Sequence, residues 1–376
     1  MSLEDSSTEG SSQVASYQKR ALLGCGMGCF SLIAIFVGSI LLLLIASDTG
    51  FDGLIAGGLL ACSPVPFYTG LALCLDRYEP EPPLLLFGAF LWGATFAVFV
   101  SYLLNTFNAL ILMALFGDGA QSWAAVLSAP WVEESAKGFG LFLLVLLWRR
   151  EVDGIVDGVI YATMVALGFA MVENISYYGQ AFHAGHSGDV GTTVFLRGVL
   201  SPYSHPLFTS MTGIGIGWAR QTRSLAIKIL APLGGLMLAM LLHLMWNLTA
   251  TVSGLLWLGA YIMVMIPVGL SILITVGFAL NREARLIREH LQPEVDQGVL
   301  SQEELLRITS IWGRIGYSAS AMWKLGPLGW WNAEGFLHAT TELAFTRHRA
   351  AEGEVGPAEV ESRRAVLLPY LATRPL

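Results

Sequence analysis

The chain has 376 residues, 54% of them hydrophobic and only 13% charged, against about 25% charged in a soluble domain. The net charge is −7, and no basic patch is interleaved with aromatics, which excludes nucleic acid as an expected partner. Composition predicts an all-α fold, a polytopic bundle of membrane helices with the lipid bilayer as its solvent.

Residues 1–18 are rich in Ser, Thr, Glu and Gln and have little to bury, so a disordered segment is expected over 1–20. Lys19-Arg20 precede an apolar run, Ala21 to Ala46, that is longer than the core of a signal peptide and reads as a retained first span. Further apolar runs of about 20 residues can cross ~30 Å of hydrocarbon at ~1.5 Å per residue. They predict spans over 53–75, 84–106, 123–148, 154–178, 201–219, 229–250 and 255–280, eight with the first. Lys19, Arg20, Arg77, Arg149, Arg150, Arg220, Arg223, Lys228, Arg282, Arg285 and Arg288 fall on one side of that layout, and only Arg197 on the other. Basic loops mark the cytoplasmic side, so both termini are expected there.

Cys25, Cys29, Cys62 and Cys74 lie in apolar runs without metal-ligand spacing and read as small packing residues. Asp76 to Pro82 reads as a proline-shaped corner, and Gly213-x-Gly215-x-Gly217 as a close helix contact. His183 and His186 read as solvated loop residues. Residues 21–280 form the expected transmembrane domain. From Asn281 charge returns: Ser301 to Glu304 fits a capping box, an amphipathic stretch reaches about Ala321, and Gly326-Pro327 breaks the pattern before Asn332 to Ala351. Residues 281–376 are thus expected as a cytoplasmic helical tail. Trp323, Trp330 and Trp331 suit either a headgroup-level contact or a small soluble core.

Ionisable residues inside apolar runs carry the chemistry. Glu133-Glu134 sits near the middle of Trp123 to Trp148, where each carboxylate costs about 2.5–3.5 kcal/mol on insertion scales. At ~1.5 Å per residue, Glu133 and Glu134 lie ~15 Å below the outer surface, Glu173 ~8 Å, His205 ~6 Å, His243 ~10 Å and Asn247 ~5 Å. Polar residues on four spans therefore agree in depth. His243 and Asn247 share a helix face at i,i+4, as do Glu133 with Lys137 and Phe169 with Glu173. Lys137 can neutralise one carboxylate and leave the other free.

A carboxylate in a desolvated cleft can act as a general base, and an imidazole with a carboxamide can hold an oxyanion. Glu134, Glu173, His205 and His243 are also acceptable ligands for Zn2+ that activates water. Both routes end in hydrolysis of an amide by water. No Ser or Cys nucleophile stands in a recognisable motif, and HExxH is absent.

Glu133-Glu134-Ser135-Ala136-Lys137 resembles the EExxK motif of the PrsW family of bacterial intramembrane proteases. Gly168-Phe169-Ala170-Met171-Val172-Glu173-Asn174 resembles its FxxxE motif, and His205 and His243-x-x-x-Asn247 its histidine motifs. The 76–82 loop is similar to a signature of the same family. The resemblance covers roughly residues 55–290. It implies kinship with the CAAX prenyl-protease group, in which a histidine stands at the place of Glu173, so a metal-dependent and a metal-free glutamate site both stay open.

The resemblance further implies a bacterial plasma-membrane endopeptidase that cuts a membrane-anchored protein substrate, such as an anti-sigma factor, as the first cut of a signalling cascade. Catalytic roles are expected for Glu133, Glu134, Glu173, His205, His243 and Asn247, with Lys137, Phe169 and Asn174 in support. Glu133 is favoured as the base and Glu134 as the partner of Lys137. Two other classes fit the same residues: a proton-coupled transporter or channel using them as a relay, and a non-catalytic membrane scaffold.

Overall fold

A backbone surrounded by apolar side chains and lipid must satisfy its own hydrogen bonds, which long helices do. The computed structural model describes the backbone over residues 3–117, 120–149, 151–184 and 187–373. No strand occurs among the described residues. Five helices are long and apolar enough to cross a membrane: Gly26–Leu75, Pro83–Phe116, Ile155–His183, Leu225–Val252 and Gly254–Asp296. The chain is a polytopic helical membrane protein.

Six of the eight expected spans fall in these five helices; the fourth and sixth form helices outside that set. The first two are helical runs divided at Gly50. Helix α1 (Leu3–Cys62) turns at Gly50, where φ is 72°, and α2 (Val65–Leu75) continues it. Helix α1 starts at Leu3, so the described part of the polar N-terminal segment is helical where composition predicts disorder. The third span, α3 (Pro83–Phe116), runs ten residues past its predicted end and contains a π turn at Gly93–Ala97. The fourth is broken in two at Ser128, where Pro130 lacks an N–H, giving α4 (Gln121–Leu127) and α5 (Ala129–Leu147). The fifth is α6 (Ile155–His183). After it come α7 (Ser187–Val194) and a π turn, Phe195–Leu200.

The sixth span is α8 (Ser204–Arg220), only 17 residues long. The seventh is α9 (Leu225–Val252). The eighth, α10 (Gly254–Asp296), passes through residue 281 without a break, so the tail begins as the extension of a span. Beyond it lie α11 (Gln302–Ile308), whose capping box is formed by Ser301 and Glu304, then α12 (Ile311–Ala351), bent at Gly326, and α13 (Pro357–Thr373).

Helix α6 is the central post. Glycines let its neighbours touch its backbone. A Cβ on Gly213 would sit 2.2 Å from the Gly158 carbonyl oxygen, one on Gly217 2.3 Å from the Gly154 carbonyl oxygen, and one on Gly168 2.1 Å from the Phe90 carbonyl oxygen. Helix α8 is wedged in the same way against α9, where a Cβ on Gly215 would approach the Ala231 carbonyl oxygen to 2.2 Å. The Gly-x-Gly-x-Gly run is thus a packing device. It clamps α8, with His205 at its start, between α6 and α9.

Cys29, Cys62 and Cys74 are exposed on the outside of the bundle and not packed inside it as expected; the side chain of Cys25 lies outside the described residues. His183 is exposed at the end of α6, and His186 lies outside the described residues.

The 76–82 corner does more than turn the chain. Glu81 N–H donates to Asp76 Oδ2 at 2.8 Å, and Tyr161 Oη–H donates to Glu81 Oε2 at 2.6 Å. Tyr78 Oη–H donates to the Thr309 carbonyl at 3.0 Å, and Arg77 pairs with Glu334 at 3.5 Å. The corner therefore ties the central post to the tail. Burial raises the Asp76 carboxyl to about 6 and the Glu81 carboxyl to about 10.

Candidate active site

Helix α5 starts at Ala129, so Glu133 and Glu134 lie about one turn inside a helix N-terminus instead of in mid-span. The positive end of the helix dipole favours carboxylates there. Glu134 and Lys137 are both fully buried, and their side chains meet at 2.7 Å, while Glu133 Oε2 is 3.8 Å from the same ammonium. Glu134 is saturated. Besides Lys137, its Oε1 lies 3.1 Å from His243 Nδ1, and its Oε2 accepts from Thr209 Oγ1 at 2.9 Å.

Lys137 Nζ also lies 3.0 Å from His205 Nδ1 and 3.9 Å above the Phe169 ring. An ammonium only donates, so His205 Nδ1 accepts; its Nε2 lies 2.7 Å from Glu173 Oε2, an ion-pair contact without hydrogen-bond geometry. Glu173 Oε2 is shared with Arg197 Nη2 at 2.9 Å. By the same logic His243 Nδ1–H donates to Glu134, which leaves Nε2 with its lone pair, 3.9 Å from Glu133 Oε2. Glu133 Oε2 is buried and has no hydrogen-bond partner. Its Oε1 lies at the long end of reach from Asn105 Nδ2, 3.4 Å.

Beside this cluster lies a cavity of about 260 Å3. Glu133, Glu173, Asn174, His205, His243 and Asn247 line it together, so the residues picked from four predicted spans converge at one end of the bundle. Asn247 donates one amide hydrogen to the Ala125 carbonyl at 2.8 Å. Asn174 accepts from Arg197 Nε at 2.7 Å. Phe208 stacks on His243 with ring centroids 5.0 Å apart.

Several contributors were not singled out from sequence. Arg197 comes from the π turn Phe195–Leu200, a rare irregularity that often marks function; its signal was there, as the lone basic residue on its side. Thr209 is i,i+4 from His205 on the same face of α8. Asn105 and Ser128 hold each other at 2.8 Å beside Glu133, and an amide inside the apolar α3 was a readable signal too.

The donors close enough to hold a metal ion are Glu133, His205 and His243, with candidate ligand atoms all within 4.8 Å of one another. Glu134 and Glu173, expected among the ligands, are not in that group; the first is taken by Lys137, Thr209 and His243, the second by Arg197 and His205. One Glu and two His suit Zn2+ with a position left for water. The orphaned Glu133 Oε2 fits that role, while His205 Nδ1 is held by Lys137 at 3.0 Å.

A polytopic helical membrane protein that keeps a buried carboxylate–imidazole cluster around a small polar cavity belongs to the class of membrane proteins with a functional site among their helices. Residues 81–272 match the model of the PrsW family intramembrane metalloproteases, and the chain belongs to that family. It is 30% identical to a protein named Protease PrsW from Bacillus subtilis (strain 168) over 148 residues, 39% of this chain and 60% of that one. A Protease PrsW from Geobacillus kaustophilus is 32% identical over 149 residues, 39% of this chain and 58% of that one. The matched part thus spans less than two thirds of these relatives. No solved structure matches the chain.

Proposed function

We propose that this chain is an intramembrane endopeptidase that hydrolyses a peptide bond of a membrane-anchored protein, with Glu133 as the general base. One observation carries the reading: of two adjacent buried carboxylates, Glu134 is saturated, while Glu133 Oε2 stands unpartnered beside the free Nε2 of His243. A water between them is held by two acceptors and faces the cavity. Glu133 takes a proton from that water, and the water oxygen bonds to the scissile carbonyl carbon. As the C–N bond breaks, the proton passes from Glu133 to the leaving amine. Asn247 has a second amide hydrogen for the developing oxyanion, and Arg197 adds positive charge at the same cavity wall.

Glu134 orients His243 through a hydrogen bond, and Glu173 lies against His205 at 2.7 Å, contacts that support a positioning role for both carboxylates. The family's description as metalloproteases favours the metal-dependent version. In that version Glu133, His205 and His243 would hold Zn2+, which when bound makes water acidic near neutral pH, and Glu133 would serve as a ligand in place of the base. The basic-loop asymmetry supports cytoplasmic termini in a bacterial plasma membrane. With that orientation the cavity faces the outer leaflet, so the cut falls near the extracytoplasmic end of the substrate's span.

The reading is tested by comparing new protein termini in membranes of cells that make the wild-type chain or its His243→Ala variant. A membrane-anchored protein cut within or beside its span only in the wild-type membranes is the expected result. Identical sets of termini would contradict it.

A further inference from the structure

Helix α12 starts with a stretch unlike the rest of the tail. Over residues 311–333 the charged residues are Arg314 and Lys324, and no acidic residue occurs before Glu334. Arg314 is turned inward. Its Nη1 donates to Thr341 Oγ1 at 2.8 Å and its Nη2 to the Leu337 carbonyl at 3.2 Å. The opposite face carries Trp312, Gly316, Ala319, Ser320 and Trp323, all exposed and spaced i, i+4, i+7, i+8 and i+11. Those intervals place them on one stripe of the helix, ~16 Å long. Trp312 is 81% exposed and Trp323 92%. At the Gly326 bend the stripe runs on into exposed Leu325, Leu328 and Trp331.

An uncharged, tryptophan-ended stripe of this size is unusual on a surface that faces water. Its position says what it faces. Thr309, just before the helix, accepts from Tyr78, and Glu334, three residues after Trp331, pairs with Arg77. Tyr78 and Arg77 belong to the short loop between two spans, which fixes the membrane–water boundary on that side. Three residues of helix are ~4.5 Å, so both ends of the stripe are tied within about a turn of that boundary. Tryptophan prefers the headgroup layer, and an uncharged helix face backed by polar contacts lies in the interface plane.

We propose that the 312–331 face of α12 is a lipid contact: it rests in the headgroup layer of the leaflet on the 76–82 side and anchors the tail to the bilayer. The bilayer is favoured over a second copy of the chain because the stripe is continuous with the level at which the spans leave the membrane.

The test uses the full chain with its four cysteines replaced by serine and one spin-labelled cysteine at a time, Trp323→Cys or Ala319→Cys, in nanodiscs of phosphatidylcholine with some phosphatidylglycerol. Ala319→Cys keeps both tryptophans and reads the same face. A label at Asp296→Cys, exposed at the far end of α10, serves as the water reference. The expected result is a several-fold higher ratio of oxygen to nickel-chelate collisions at 319 and 323 than at 296. Equal ratios at all three sites would overturn the proposal, as would dipolar broadening between labels of two chains at 319 or 323.

Discussion

Two neighbouring glutamates with different partners are the centre of the site, and they should fail differently. Glu133→Gln is expected to lower cleavage by about 10²–10⁴-fold, the usual contribution of a positioned base, with little change in thermal stability, because Glu133 Oε2 holds no hydrogen bond. Lys137→Met should instead destabilise the fold by about 3–5 kcal/mol, the cost of leaving a buried charge without its partner, since Glu134 is fully buried. Unfolding of the purified variants in detergent, set beside their cleavage rates, separates the two effects. Zinc content adds a second axis. If the ion is held by Glu133, His205 and His243, it should be present in the wild type, lost in His243→Ala, and required for activity after chelation. Activity that survives complete metal removal would leave Glu133 as base without an ion. Much of this cluster was legible in the sequence, because a carboxylate or imidazole in an apolar run is costly enough to need a reason. Which glutamate Lys137 holds was legible only as a preference. Two candidate spacings, i,i+3 and i,i+4, differ by about 100° around a helix, and tertiary partners such as Thr209 decide between them.

At the scale of helices, the site depends on close backbone contacts more than on side-chain volume. Helix α8 reaches His205 into the cavity because Gly213 and Gly217 let it touch α6. Gly213→Val should shift α8 by more than an ångström and cost at least about 1–3 kcal/mol by overpacking; cleavage should fall with it, and a second-site change of Ala162 to Gly should restore part of both. Measurement of both variants by thermal melting and cleavage checks this. The helix count was harder to read than the helix positions. Hydropathy marks apolar runs, but a run can bend at Gly50 or break at Ser128 without losing an apolar residue. The break matters chemically, since it moves Glu133 and Glu134 from mid-helix to near a helix start. The π turn that delivers Arg197 had no composition signal of its own. Arg197→Gln should leave Glu173 without its cation and alter the pH profile of cleavage while sparing the fold, which circular dichroism would show.

Across the whole molecule, the cavity and the 76–82 corner sit toward opposite ends of α6: Tyr161, which holds Glu81, and Glu173 are twelve residues apart, ~18 Å along the helix. The corner carries its own pH dependence. Burial raises Asp76 to about 6 and Glu81 to about 10, so the folded chain keeps protons that the unfolded chain releases near about pH 4. Stability from these groups is full below that point and is lost as pH rises through about 6 and then about 10. The melting temperature in detergent should therefore fall between about pH 5 and about pH 9, and Glu81→Gln should flatten the alkaline part of that decline. The corner's role was only half legible: the prolines announced a fixed turn, but nothing local to the loop showed that Tyr78 and Arg77 grip a tail more than 200 residues later, at Thr309 and Glu334. The most direct measurement concerns the water itself. Purified wild-type chain and Glu133→Gln, in nanodiscs with a single-span membrane protein found to be cut in cells, are incubated in oxygen-18 water, and the new carboxyl terminus is weighed by mass spectrometry. Wild type should place oxygen-18 in that carboxyl group, and Glu133→Gln, although folded, should yield product at least about 10²-fold more slowly. Cleavage by Glu133→Gln at the wild-type rate would contradict the assignment of Glu133 as the base that activates the water.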